Sequence, residues 1–301
     1  MQPHLRHTGF RAMGTYCEIQ IFEASRIMAK RQVSRLIEEV KRLESKYTRY
    51  REDSFLSQIN RGAGSQTGIS IDFETQKLFE YAQRCYEQSD GLFDITAGVL
   101  RRAWDFNLKR VPTESDLQSL LSLIGYDRLI WQEDKLFLPE NMEIDFGGIV
   151  KEYAADSLVK LARELGVERG LINLGGDFAA IGSQPENKPW PIGIAHPEDK
   201  TNMMARLHLH EGGLASSGDY ERFFVLDGKR YSHLLNPKTG WPCAGLRAVS
   251  VAANLCTVAG SFATIAMLKP EQDALDWLTE SGLPFVFMDG AGRIGGPGFA
   301  G

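Results

Sequence analysis

The sequence predicts an α+β fold, because helical and strand patterns are partly segregated along the chain. Amphipathic helical patterns dominate residues 27–166, whereas residues 171–254 show short strand patterns separated by Gly and Pro turns. Two helical patterns and one last strand pattern follow. Since strands and helices do not alternate regularly, a doubly wound parallel sheet is not expected.

The individual elements follow from periodicity and from residues that start or stop helices. Residues 15–22 partly alternate apolar and polar side chains, as a strand does, and residues 27–47 carry an apolar stripe at helical spacing. Asp72 and Thr113 suit the N-cap positions of two further helices, the second running to about Ile124. The remaining predicted elements are a helix from Val150 to Gly166, strands at 171–182, 190–195, 204–210, 222–235 and 246–254, helices at 257–268 and 270–281, and a strand at 284–289.

Composition limits the classes of protein to which the chain can belong. Its 301 residues, 43% hydrophobic and 24% charged, suit one domain over residues 1–301, with two closely packed lobes as the alternative. The net charge of −5 and the lack of a Lys/Arg block argue against nucleic acid as a partner. The four cysteines form no CxxC pair, so neither a zinc site nor a disulfide framework is expected.

The same sequence bears on membranes and location. No apolar run reaches the roughly 18 residues that a membrane helix needs, so no membrane span is expected. The first residues lack the apolar core of a signal peptide. These features predict a cytoplasmic protein, with a periplasmic location as the alternative if a leader was removed.

Three segments in the first hundred residues offer side chains suited to a ligand. Met13-Gly14-Thr15 precedes a strand, where the alternative interpretation is a tight turn. Tyr50 lies in a polar stretch after the first long helix, and its ring could stack on a flat ligand or simply belong to a solvated loop. Asp94 and Thr96 could serve a ligand or could hydrogen-bond a turn.

Two glycine pairs suggest places where backbone approaches a ligand. Gly147-Gly148 leads into a helix, whose first N–H groups and dipole favour an anion. Gly175-Gly176 follows a strand, where a missing side chain permits close approach. In both places the alternative is that glycine serves packing alone.

The most specific segment lies between residues 216 and 240. It holds the polar run Ser216–Arg222 and, further on, Ser232-His233 followed by an Asn-Pro-x-Thr-Gly turn. A lone histidine is usually structural, but His233, set among polar turn residues, is the best general-base candidate in the chain.

Two other patterns are set aside. Residues 290–295 match GxGxxG but lack the following helix and the acidic residue that a dinucleotide site requires. His208 and His210 have HxH spacing on a predicted strand, where a solvent-facing pair is favoured over a metal site.

Taken in order, these segments resemble the ApbE family, the FAD:protein FMN transferases. The similarity runs from Met13 to about Pro270, and its most specific part is residues 217–220 followed by 232–240. The resemblance implies a mixed, largely antiparallel sheet core with flanking helices, of a T-fold-like kind. It also implies Mg²⁺-dependent transfer of FMN from FAD to a Ser or Thr of an acceptor protein, with release of AMP.

The resemblance also implies roles for individual residues. Tyr50 matches the aromatic that stacks on the isoalloxazine, and His233 matches the histidine implicated in catalysis. Thr264 and a carbonyl at about Val150 match metal ligands. The other residues implied to contact FAD are Met13, Gly14, Thr15, Asp94, Thr96, Gly147, Gly148, Lys151, Asp156, Gly175, Gly176, Ser217, Gly218 and Tyr220.

Three positions depart from the family pattern. Gly260 stands where an Asp ligand to magnesium is usual, Asn236 replaces an Asp, and Glu152 stands where Gly is more common. Three outcomes are open at this position: a water in place of the carboxylate, another acid such as Asp177 reaching in, or weak, FAD-dependent magnesium binding. The missing carboxylate favours the last of these, and Gly260→Asp would then tighten metal binding. It also supports an alternative function, an FAD-binding protein or weak FAD pyrophosphatase with an impaired metal site.

Overall fold

The computed structural model describes residues 3–199, 201–220 and 222–299. In these residues the helices are α1 (Arg26–Tyr47), α2 (Phe55–Arg61), α3 (Phe73–Gln88), α4 (Glu114–Leu121), α5 (Val150–Glu164), α6 (Cys256–Leu268) and α7 (Glu271–Ser281), with 3-10 turns at Ile95–Arg102, Tyr126–Arg128 and Pro185–Asn187. The strands are β1 (His4–Ala12), β2 (Thr15–Glu23), β3 (Ile69–Ser70), β4 (Ile130–Gln132), β5 (Lys135–Phe137), β6 (Gly170–Leu174), β7 (Asp177–Gly182), β8 (Trp190–Ala195), β9 (Met203–Leu209), β10 (Gly212–Gly218), β11 (Phe223–Leu226), β12 (Lys229–Ser232), β13 (Ala248–Ala253), β14 (Phe285–Met288) and β15 (Ile294–Gly295).

The centre of the fold is an eight-stranded sheet in the order β1-β2-β6-β7-β10-β13-β14-β15. Its neighbouring strands all pair antiparallel in the described residues. The predicted α+β class with a largely antiparallel sheet and flanking helices is therefore confirmed.

Strand alternation divides the hydrophobic side chains between the two faces of this sheet. On one face Ile172 and Leu174 of β6 join the side chains of α1, α5 and α6 in the largest core cluster. On the other face Leu171 joins a second cluster, which the hairpin β8–β9 covers with Trp190 and Ile192 among others. The sheet is thus buried on both faces, and its helical face carries the polar residues discussed below.

A third cluster, mainly aromatic, lies beside the large core. Trp104, after the first 3-10 turn, contacts Phe224 of β11 and Tyr231 of β12 at ring-centroid distances of 6.5 and 5.7 Å. The Trp104 Nε1–H donates to the Gly240 carbonyl at 2.8 Å. This bond joins the 3-10 turn to the turn that follows His233.

Several predicted elements need correction. The stretches 171–182 and 222–235 are each two strands joined by a tight turn, and α4 ends at Leu121 rather than near Ile124. Seven of these helices and strands were not predicted, namely β1, α2, β3, β4, β5, β10 and β15. The strand β10 is rich in small residues because α6 lies close against it: a Cβ on Gly213 would stand 2.6 Å from the Cys256 backbone.

The two patterns set aside on sequence grounds are also explained. Residues 290–295 form a turn and the short strand β15, with no helix after them in the described residues. His208 and His210 are both exposed. Within the described residues, no helix is long and apolar enough to cross a bilayer.

Candidate functional site

A cleft of about 420 Å³ opens where the first turn of α5 meets β10, α6 and the loop that follows β12. It brings together seven of the residues predicted for the site, from distant parts of the chain. These are Asp94, Gly147, Gly148, Lys151, Ser217, His233 and Thr264.

The glycine pair forms the entry to α5 and needs its small residues. A Cβ on Gly148 would stand 3.3 Å from the Phe93 ring, and one on Gly147 would stand 3.2 Å from Asp145 Oδ1. Asp145 accepts a hydrogen bond from the Gly147 N–H at 2.9 Å and forms an ion pair with Arg49. The N-cap residue of α5, Ile149, has no side chain that can cap the helix. The positive end of the helix therefore borders the cleft and suits a phosphate.

His233 lines the cleft, and one of its ring nitrogens is held by a backbone carbonyl. Its Nδ1 lies 3.1 Å from the Arg222 carbonyl oxygen. Because a carbonyl only accepts, Nδ1 carries the proton and Nε2 holds the free lone pair. Burial lowers the pKa of His233, and the charges of Arg222 and Lys151 lower it further, against the effect of the carbonyl.

An acidic pair and two hydroxyls lie side by side beneath the glycine turn. Asp177, only 1% exposed, forms an ion pair with Lys151 at 2.8 Å. Burial, and next the negative charge of Asp177, raise the pKa of Glu152 above its ordinary value. The Ser217 and Thr264 hydroxyl oxygens are 3.0 Å apart and link β10 to α6. Among the described residues, no cluster of three or more His, Cys, Asp or Glu side chains is arranged around a metal position.

The space beside Gly260 is occupied by a side chain from another helix. A Cβ built on Gly260 would stand 2.6 Å from Glu152 Cγ. The space beside α6 is therefore filled by a carboxylate from α5, and Gly260→Asp would collide with it.

Tyr50 lies beside the cleft but does not line it. Its ring is 78% exposed, and Arg49 donates to its hydroxyl at 3.2 Å. Although burial alone would raise the pKa of Tyr50, hydrogen bonds and charges from Arg49 and Arg222 lower it overall. Both arginines line the cleft, so they hold an exposed aromatic ring next to it.

Asp94 and Thr96 mainly fasten one wall of the cleft. Asp94 Oδ1 accepts from the Thr96 N–H and hydroxyl at 2.7 and 2.6 Å, and Oδ2 accepts from the Tyr126 N–H at 3.1 Å. Thr96 is fully buried and does not line the cleft. Burial raises the pKa of Asp94, although these hydrogen bonds oppose the shift.

Two predicted segments form adjacent hairpin turns outside the cleft lining. Met13 and Gly14 connect β1 to β2 with φ values of 51° and 72°, and Gly175 and Gly176 connect β6 to β7 with 66° and 96°. Thr15 packs so closely on Gly175 that a Cβ there would lie 2.5 Å away. These glycines serve turns that require positive φ, and the second turn places Asp177 at the start of β7.

Four further predicted residues also lie outside the cleft lining. Gly218 is covered by the Tyr220 ring, which packs on the far face of the sheet. Val150 is buried at the start of α5. Asp156 accepts hydrogen bonds from the Cys256 and Thr257 N–H groups, both at 2.9 Å. We therefore assign Asp156 a positioning role, in which it fixes the N-terminus of α6.

Several residues that line or border the cleft were not selected from the sequence. They are mainly cations or anions next to selected residues: Arg49 beside Tyr50, Glu152 beside Lys151, and Asp177, which was considered only as a substitute metal ligand, after the second glycine pair. Arg101 and Arg222 also line the cleft. Charged neighbours of ligand-suited turns were the signal that could have identified the first three.

Comparison with known proteins agrees with the fold and the motifs. The sequence profile of the ApbE family matches residues 13–287. The chain is 28% identical to the FAD:protein FMN transferase of Haemophilus influenzae, with 88% of this chain and 81% of that protein covered. It is 30% identical to the FAD:protein FMN transferase of Salmonella typhimurium, with 79% and 71% covered.

Solved structures show the same architecture. The ApbE protein of Thermotoga maritima matches with a TM-score of 0.90 and 28% identity, covering 97% of each chain. The flavin transferase ApbE of Vibrio cholerae matches with a TM-score of 0.86 and 22% identity, covering 99% of this chain and 97% of that one, a likeness of fold alone. Because the family profile covers most of the sequence, the chain belongs to the ApbE family.

Proposed function

We propose that this protein transfers the FMN part of FAD to a Ser or Thr hydroxyl of an acceptor protein and releases AMP. Family membership across residues 13–287 gives the reaction class. The observation that carries the proposal is the position of His233, whose ring shares one cleft with the glycine turn at the N-terminus of α5.

The cleft separates binding from proton transfer. The Gly147-Gly148 turn, the dipole of α5 and Lys151 favour the pyrophosphate. The exposed ring of Tyr50, beside the cleft, suits stacking on the isoalloxazine. His233 Nε2 takes the proton of the acceptor hydroxyl as its oxygen attacks the FMN-side phosphorus. The bond from that phosphorus to the bridging oxygen breaks, and AMP leaves with the electron pair.

The donors in the cleft fit magnesium, the cofactor proposed for this reaction. The ion takes oxygen ligands, usually one or two carboxylates together with phosphates and water. Glu152 Oε2 is buried without a hydrogen-bond partner among the described residues, and the Thr264 hydroxyl lies on the neighbouring helix. Magnesium would neutralise charge on the phosphates during transfer.

The alternative of a flavin-binding protein with an impaired metal site depended on Gly260. Because the Glu152 side chain occupies the space beside Gly260, that observation no longer favours the alternative. Hydrolysis of FAD by water in place of the hydroxyl remains a side reaction of the same arrangement.

The test is incubation of the purified protein with FAD, Mg²⁺ and a flavin-acceptor domain, followed by in-gel flavin fluorescence. We expect labelling that His233→Ala reduces about 10²–10⁴-fold, since that is the usual contribution of a general base. His208→Ala, at an exposed histidine of β9, is the matched control and should label normally. If AMP still forms but the acceptor domain is not labelled, the reaction is hydrolysis of FAD rather than transfer to protein.

A further inference from the structure

Two departures from the family pattern meet in space, although they lie far apart in the sequence. Gly260 lies on α6 and Glu152 in the first turn of α5, and these two helices contact each other. A Cβ on Gly260 would stand 2.6 Å from Glu152 Cγ and 3.0 Å from both Cδ and Oε1. The Glu152 carboxyl group therefore occupies the space into which a side chain at position 260 would extend.

The surroundings of Glu152 leave one of its oxygens unsatisfied. The residue is 7% exposed, lines the cleft, and its Oε2 has no hydrogen-bond partner within the described residues. The cation of Lys151 already lies 2.8 Å from the neighbouring Asp177. Burial and the negative charge of Asp177 raise the pKa of Glu152, and its buried oxygen without a partner is unfavourable unless a ligand satisfies it.

Two hydroxyl groups, those of Thr264 and Ser217, line the same cleft as this carboxyl group. Thr264 lies one helical turn after Gly260, so its side chain is on the same face of α6. Its hydroxyl oxygen is 3.0 Å from that of Ser217. A carboxylate oxygen together with hydroxyl oxygens is a donor set that suits a hard divalent cation.

We propose that Glu152 is a metal ligand of this protein, and that α5 thereby supplies the carboxylate that the family pattern places at position 260 on α6. The inference rests on the proposed function, because the metal is the one required for transfer. It makes residues 152 and 260 interdependent, since one carboxylate is needed and the space accepts only one side chain. Either helix can provide it.

The test measures metal binding directly, with Mn²⁺ as the probe, by electron paramagnetic resonance of free Mn²⁺ at saturating FAD. Glu152→Gln keeps the shape of the side chain and removes the charge. We expect Mn²⁺ affinity to fall at least about tenfold, since removing a group that only supports a metal ligand already costs that much. Glu164→Gln, an exposed position on the same helix, is the control and should not change it.

The exchange itself is tested with three further variants. Glu152→Gly should lose tight Mn²⁺ binding, Gly260→Asp alone should weaken it through collision, and the double variant Glu152→Gly/Gly260→Asp should recover it to within a few-fold of the natural protein. Natural affinity in Glu152→Gln, or no recovery of Mn²⁺ binding in a folded double variant, would overturn the inference.

A separate readout keeps this proposal distinct from the transferase activity. FAD affinity, measured by flavin fluorescence, should stay within a few-fold in Glu152→Gln at zero metal. Metal binding through Glu152 without protein labelling would refute the proposed function and leave the ligand assignment intact. Labelling by the natural protein together with unchanged Mn²⁺ affinity in Glu152→Gln would refute the ligand assignment and leave the proposed function intact.

Discussion

At the scale of single residues, the protonation of His233, the proposed general base, is set by a backbone carbonyl. The Arg222 carbonyl fixes the proton on Nδ1, and burial lowers the ring pKa below the ordinary value of about 6.5. A histidine with a lowered pKa stays neutral, and therefore basic, to lower pH than a solvated one.

This predicts the pH dependence of transfer. Since the base works only when neutral, kcat/KM for FAD should be flat near neutral pH and should fall on the acid side, with a midpoint below about 6.5. Flavinylation rates measured between pH 5 and pH 8 would show this fall on the acid side. His233→Ala should abolish the pH dependence together with most of the rate. A midpoint above pH 7 in the natural protein would mean that His233 is not the titrating base.

Tyr50 allows a test of stacking without loss of a packed core residue, because its ring is 78% exposed. We expect Tyr50→Ala to weaken FAD binding by about 1–3 kcal/mol, the range for a base stacked on an aromatic side chain. Tyr50→Phe keeps the ring, loses the hydroxyl held by Arg49, and should bind nearly as the natural protein does. If calorimetry gives equal affinities for all three proteins, Tyr50 is only a loop residue.

At the scale of elements, the N-terminus of α6 is capped from another helix. Leu255 cannot cap it, and the Asp156 carboxylate of α5 accepts from the Cys256 and Thr257 N–H groups instead. The Thr257 hydroxyl also donates to it, at 2.6 Å. This contact fixes the two helices that contribute Glu152 and Thr264 to the cleft.

Loss of this cap should affect both stability and activity. We expect Asp156→Ala to lower the free energy of unfolding by about 1–3 kcal/mol, the sum expected for a cap with charged hydrogen bonds. Transfer should slow because α6 loses its fixed position. Thr113→Ala removes the cap of α4, none of whose residues lines the cleft, and should lower stability with little change in transfer. Urea unfolding measures the loss of stability, and the labelling assay measures the transfer rate. A loss of stability in Asp156→Ala with an unchanged transfer rate would contradict the positioning role.

The sequence predicted those elements whose patterns are local. The stripe of α1 and the N-caps Asp72 and Thr113 were correct because helix periodicity and capping depend on neighbours in the chain. The strand β10 was missed because its small residues match α6, a partner remote in sequence. In the same way, motif spacing predicted that His233 and Gly147-Gly148 belong to a site, whereas the contact of Glu152 with Gly260 depends on tertiary packing that no local pattern contains.

At the scale of the whole molecule, a protein of net charge −5 lines its cleft with Arg49, Arg101, Lys151 and Arg222. Three of these have acidic partners, and Arg222 lies 5.6 Å from the Phe106 ring centroid. Such a concentration of cations draws anionic ligands towards a cleft, more strongly at low ionic strength.

FAD should therefore bind more tightly than FMN, because FAD brings a pyrophosphate to the turn at Gly147-Gly148 and FMN only one phosphate. Calorimetry with both ligands at two salt concentrations measures the difference. Equal affinities at low salt would mean that the glycine turn does not engage the second phosphate.

The aromatic cluster beside the cleft has an optical consequence. Trp104 is buried, lines the cleft, and is held by its bond to the Gly240 carbonyl. Indole emission overlaps flavin absorption, so a flavin entering the cleft would accept excitation energy from this indole. The protein thus carries its own luminescent donor, which lets ligand entry be followed in real time without a label, and Trp104→Phe would dim that signal.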